Sequence, residues 1–172
     1  MRTIKFKLTE ETIVANGKTL YRIEALRDFA NVKKGDKGGF VEKEDNLSQS
    51  GDCWICGNAK VYDDAVVYGN AEVFGDAVVC GNAKVCGNAK VRDEAKIYDM
   101  AIVGDNAMVY DNAEVYGNAE VCDNAEVFDN AVIYGNARVY GNAIVCDKAE
   151  VCGYSKIYGN AIIRGNTKVC DE

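Results

Sequence analysis

From Cys53 to Val169 the chain repeats a six-residue unit, Ala-x-Val-x-Gly-Asn, without insertion or deletion. Alanine stands at every sixth position from Ala59 to Ala161, with Ser155 the one exception, and Thr167 closes the series. Two places after each comes Val or Ile, at every sixth residue from Ile55 to Val169. The last two slots hold Gly or Asp followed mostly by Asn or Asp, as in Gly69-Asn70 and Asp111-Asn112.

Side chains alternate along an extended segment, so the Ala and Val of each unit face one side together. One small and one branched apolar group is too little core for a unit to fold alone. The Gly-Asn pair tolerates positive φ and predicts a tight corner after each short strand. Three corners close a triangular coil of eighteen residues, and stacked coils of parallel strands about 4.8 Å apart give a prism on the order of 30 Å long.

Residues eighteen apart then become vertical neighbours. The outward slot between Ala and Val forms three columns: Lys60, Val78, Lys96, Glu114, Val132, Glu150 and Lys168; Val66, Lys84, Ile102, Glu120, Arg138 and Lys156; and Trp54, Glu72, Lys90, Met108, Glu126, Ile144 and Ile162. Opposite charges meet at Lys96/Glu114, Glu120/Arg138 and Glu150/Lys168, as the register requires. The third column turns apolar at its end, where Tyr140 and Tyr158 precede Ile144 and Ile162. We expect an interface there, with Trp54, Met108 and Lys168 as further candidates. Tyr98, Tyr116 and Tyr134 should stack as a ladder, below Tyr62 on the same edge.

At the corners, Asp93, Asp111, Asp129 and Asp147 stand in one column, with Asp105 and Asp123 adjacent on another. Carboxylates about 5 Å apart repel one another. The ridge reads either as a cation or basic-partner site or as turn chemistry in place of Gly. No metal site is assigned from the sequence.

The net charge of −7 is uneven: residues 1–46 carry 10 basic and 8 acidic groups, the remainder 10 and 19. An acidic prism argues against nucleic acid and leaves a basic protein surface as a partner. The start MRTIKFKLTEET has the apolar run of neither a signal peptide nor a membrane span, so the expected location is cytoplasmic. Seven of the eight cysteines fill the slot after Val, where Tyr or Phe stands in most other units, and only Cys152 and Cys170 are eighteen apart. Free thiols in a reducing compartment are expected.

Residues 1–46 do not follow the repeat and are expected to form a β cap over the first coil, with residues 47–172 as the prism. IKFKL alternates like a strand, and TIVA-NG-KTLYRIEAL reads as a hairpin around Asn16-Gly17. The chain stops just after the last unit, so an open terminal edge predicts self-association as a dimer or trimer, end to end or side by side.

The array resembles the left-handed β-helix superfamily of hexapeptide-repeat proteins, which includes acyltransferases and gamma-class carbonic anhydrases. That resemblance implies an all-β, single-stranded, left-handed parallel β-helix. Leu20 to Trp54 is similar to the N-terminal element of a subfamily from enterobacteria and phage genomes labelled as transferases or polymer-forming proteins. The shared residues are Arg22-Ile23, Ala25-Leu26, Asp28-Phe29, Gly35-Asp36, Gly38-Gly39, Val41-Glu42 and Asn46-Leu47-Ser48.

Enzymes of that superfamily use histidine as general base or zinc ligand, and this chain has none. They also build sites from loops between units, and no such loop interrupts the array. Catalytic residues and cofactors are therefore expected to be none. The expected function is a non-catalytic, self-associating scaffold or interaction protein. The alternatives are a phage-type antagonist, acting as an acidic mimic or ligand sponge, and an atypical acyltransferase working without histidine.

Overall fold

The computed structural model describes residues 4–172; residues 1–3 of the expected cap lie outside them. The hexads build twenty short parallel strands, from Trp54–Ile55 to Lys168–Asp171, in a solenoid of about seven turns. Each strand starts at the outward slot and includes the Val or Ile that follows. Partners are eighteen residues apart throughout, as in Trp54↔Glu72, Lys60↔Val78 and Val66↔Lys84. The three columns read from the sequence are therefore the three faces of the solenoid.

The inward pairs do what their parity requires. Every Ala from Ala59 to Ala149 and every inward Val or Ile from Val61 to Val151 is fully enclosed. Between coils the backbone bonds run in a fixed pattern: Lys60 N donates to Ala77 O at 2.9 Å, Tyr62 N to Val79 O at 3.1 Å and Asp64 N to Gly81 O at 2.9 Å. The fifth slot of each hexad takes positive φ, 60° at Asp63, 72° at Gly69 and 56° at Asp111, which is why Gly and Asp alternate there.

The N-terminal segment caps the first coil. Strand β1 (Phe6–Ala15) and strand β2 (Lys18–Ala25) form the expected hairpin, with positive φ at both Asn16 and Gly17, as a type I′ turn demands. Phe6–Leu8 of IKFKL and the TIVA segment lie in one continuous strand with a register shift between Leu8 and Thr12. Strand β3 (Lys37–Val41) pairs antiparallel with β2 and parallel with Lys60–Val61, so a single sheet crosses from cap to solenoid. Coil stacking thus begins before residue 47. Phe6, Ile23, Phe29 and Leu47 pack into the same core as Ile55 and Ala59.

Residues of the Leu20–Trp54 stretch hold this junction. A Cβ on Gly38 would lie 2.5 Å from Ile55 O, and one on Gly39 2.6 Å from Ala59 O, so only glycine fits. Buried Asn46 accepts from Lys43 N at 2.9 Å and donates to Asp63 O at 3.0 Å and Ala65 O at 2.9 Å. Arg22 donates to Gly38 O at 2.7 Å and lies 4.2 Å over the Phe40 ring. Among the described residues, no helix is long and apolar enough to cross a membrane.

Candidate functional site

The corners carry the most regular chemistry. Asn70, Asn88, Asn106, Asn124, Asn142 and Asn160 occupy one corner column, and each side-chain Nδ2 donates to the Oδ1 of the next at 3.1 to 3.2 Å. This six-member ladder was not read from the sequence, although identical residues at an eighteen-residue spacing mark it. A short second ladder joins Asn118 to Asn136 at 3.1 Å.

The acidic ridge lies along another edge. Asp129 Oδ2 accepts from Asp147 N at 3.1 Å and Asp147 Oδ2 from Gly165 N at 2.8 Å; Asp93 and Asp111 make longer versions of the same bond. One oxygen of each carboxylate is thus spent stitching coils, and Arg92 also holds Asp93 at 2.9 Å. The ligand atoms of Asp129, Cys146 and Asp147 lie within 4.8 Å of one another, as do those of Asp105, Cys122 and Asp123. The sequence reading did not include the thiols in these clusters.

The aromatic ladders are closed stacks. Tyr98, Tyr116 and Tyr134 have centroids 4.8 and 5.3 Å apart and nearly parallel planes. Tyr110 and Phe128 form a second stack at 4.9 Å, under Arg92 at 4.1 Å. Ring faces so covered offer a ligand only edges and hydroxyls. The hydroxyls of Tyr98 and Tyr110 are occupied too, donating to Glu114 at 3.1 Å and to Glu126 at 3.0 Å. Burial, reinforced by Glu126, pushes Tyr110 up to about 12.

The three charge pairs form as expected: Lys96 with Glu114 at 3.0 Å, Arg138 Nε with Glu120 at 2.8 Å and Lys168 with Glu150 at 2.9 Å. All lie on exposed faces, where solvent screening leaves each a small contribution.

The expected interface residues divide. Tyr140 and Tyr158 stack at 5.5 Å on the face of Arg138–Val139 and Lys156–Ile157, whereas Ile144 and Ile162 belong to the adjoining face. The corner between them carries Asn142 and Asn160. The patch therefore folds around an edge with the asparagine ladder as its crest. Tyr158 is 61% exposed and Ile162 59%. Met108 shares the Ile144 column but is separated from it by Glu126. Lys168 lies on the third face, held by Glu150 and donating to the Tyr134 hydroxyl at 3.2 Å.

Trp54 is a correction. It has outward parity, yet it is only 7% exposed, because Phe29 of the cap packs edge to face on it at 5.3 Å. Beside it, Lys5 is fully enclosed, donating to Cys53 O at 2.9 Å, Cys53 Sγ at 3.2 Å and Gly51 O at 3.3 Å. Burial pushes the Lys5 amine below its usual value and the Cys53 thiol above its own.

The expectation of free thiols fails at one pair: Cys152 and Cys170 are joined in a disulfide. They face each other on Glu150–Gly153 and Lys168–Asp171 with Cα atoms 4.6 Å apart, inside the range a disulfide spans. Cys53, Cys56, Cys80, Cys86, Cys122 and Cys146 are free.

Parallel coils of eighteen residues around an Ala/Val core, capped by a β-hairpin, define a β-solenoid repeat protein. A family model described as the YdcK beta solenoid repeat matches residues 131–147, one stretch of the array that includes Ala131, Ile133, Ala137 and Val139. No curated protein matches the chain.

Proposed function

We propose that the chain is a non-catalytic, self-associating rod of the left-handed hexapeptide kind, which presents ordered side-chain ladders to a protein partner with a basic surface. The observation that carries this reading is the contrast between satisfied and unsatisfied surface. Along most of the rod the outward groups are spent on one another, in asparagine, tyrosine and charge ladders. Two of the large exposed apolar side chains, Tyr158 and Ile162, flank one corner in the last coils, beside the half-buried Tyr140 and Ile144, whereas Ile4, Val14, Tyr68, Met100 and Tyr154 are exposed elsewhere. Apolar side chains grouped in this way favour a protein contact. The acidic excess of the array favours a basic partner over an acidic one.

Self-association is tested by sedimentation velocity at high micromolar concentration. The intact protein is expected to run as a dimer or trimer, and the Tyr158→Asp/Ile162→Asp variant as a monomer with an unchanged melt. A monomeric intact protein, or a variant that assembles equally well, contradicts the reading.

A further inference from the structure

We propose that the Cys152–Cys170 disulfide is a redox gate on self-association. Oxidised, it holds in place the coil that carries Tyr158 and Ile162; reduced, it lets that coil open and the assembly part. The inference rests on the self-association reading above and adds the regulation of the same surface.

The position of the bridge gives it this reach. The two cysteines stand one coil apart on paired strands, so the bond closes a loop of residues 153–169. Both exposed residues of the apolar corner, Tyr158 and Ile162, lie inside that loop. Tyr140 and Ile144 lie outside it, in the preceding coil. A change confined to the loop therefore splits the patch in half.

Burial falls off in the same loop. Ala143, Val145, Ala149 and Val151 are fully enclosed, whereas their counterparts one coil on, Ala161, Ile163, Thr167 and Val169, are half-buried or exposed. Backbone bonds reach the loop from the preceding coil, with Ile144 N donating to Ala161 O at 2.9 Å and Cys146 N to Ile163 O at 3.0 Å. A segment that buries so little apolar surface opens at low cost. Ser155, the one departure from alanine between Ala59 and Ala161, donates through Oγ to Val169 O at 3.3 Å and accepts from Asp171 N at 2.9 Å. Without the bridge, these two bonds and the strand ladder are what hold the strand end. A cross-link over a loop of this length shifts the opening equilibrium by on the order of a hundred-fold.

Cys170 is exposed and Cys152 is almost fully buried, so a reductant approaches from the Cys170 side. One thiolate of a dithiol attacks Cys170 Sγ to form a mixed disulfide, and Cys152 leaves as a thiolate that takes up a proton. The second thiol of the reductant then displaces Cys170. Two electrons pass to the bridge, which becomes two thiols, while the dithiol becomes a disulfide.

Two measurements on the intact protein, before and after dithiothreitol, test the gate. Hydrogen exchange read by mass spectrometry reports order in residues 153–169; exchange there is expected to be roughly a hundred-fold faster after reduction, with residues 101–118 unchanged. Sedimentation velocity at high micromolar concentration reports assembly: dimer or trimer when oxidised, monomer when reduced. The Cys152→Ser/Cys170→Ser variant should match the reduced protein in both measurements without dithiothreitol, which assigns the effect to this bridge and to none of the free thiols. Unchanged exchange in residues 153–169, or an assembly that persists on reduction or in the variant, overturns the gate and leaves self-association standing. A monomeric oxidised protein overturns both.

Discussion

At the residue scale, the hexad assigns different work to its last two slots. The fifth slot is chosen by backbone conformation: positive φ there admits glycine freely and aspartate at small cost, and aspartate repays part of it by accepting an N–H from the next coil. The sixth slot is chosen by what lies one coil on. Its asparagines look like turn chemistry when each corner is read singly, and the ladder shows only when corners are compared eighteen residues apart. Asn106 is a middle rung, accepting from Asn88 and donating to Asn124 at 3.1 Å each. Asn106→Ala removes both bonds at an exposed corner. It should lower stability by about 1 kcal/mol in urea unfolding, and an unchanged midpoint would show the ladder to be ornamental.

At the element scale, the cap was the less legible part. The Asn16-Gly17 hairpin is set by local turn chemistry and could be read directly. Trp54 could not, because its parity in the hexad points outward and only the fold of a non-repeating loop places Phe29 on it. Lys5 is hidden for the same reason: no local pattern marks a lysine that will cross into the core to meet the Gly51 and Cys53 carbonyls. Its burial makes a pH prediction. The folded amine titrates below the ordinary value of 10.5 that it regains on unfolding. Between those two values the unfolded chain binds the extra proton, so this contribution to stability grows as pH rises and is lost as pH falls through the folded value. Melting temperatures of the intact protein and of Lys5→Met are expected to diverge in favour of the intact protein as pH is raised from neutrality towards 10.5. A constant difference would mean that the amine is charged in the folded state.

At the scale of the whole molecule, the solenoid was legible because its period is uninterrupted: the same spacing that buries Ala and Val also stacks the charge pairs, the tyrosines and the acidic corners. What spacing does not give is which neighbours react or associate. Cys152 and Cys170 were recognisable as adjacent residues, but the expectation of a reducing compartment led to free thiols, and strand pairing joins them. Likewise the apolar residues at Tyr140, Ile144, Tyr158 and Ile162 were recognisable as a group, whereas their division across an asparagine-crested corner depends on where the coil bends.

Every ladder and surface described depends on the coil closing after eighteen residues, and excising chain tests that directly. Removal of residues 107–124, one whole coil, leaves each face in register, with Asn106 beneath Asn142. Removal of residues 107–115, half a coil, reverses the parity of all that follows and turns alanines outward. Thermal unfolding followed by circular dichroism should show a cooperative melt close to that of the intact protein for the first deletion, and loss of that melt for the second. Equal melts for the two deletions would contradict an eighteen-residue coil.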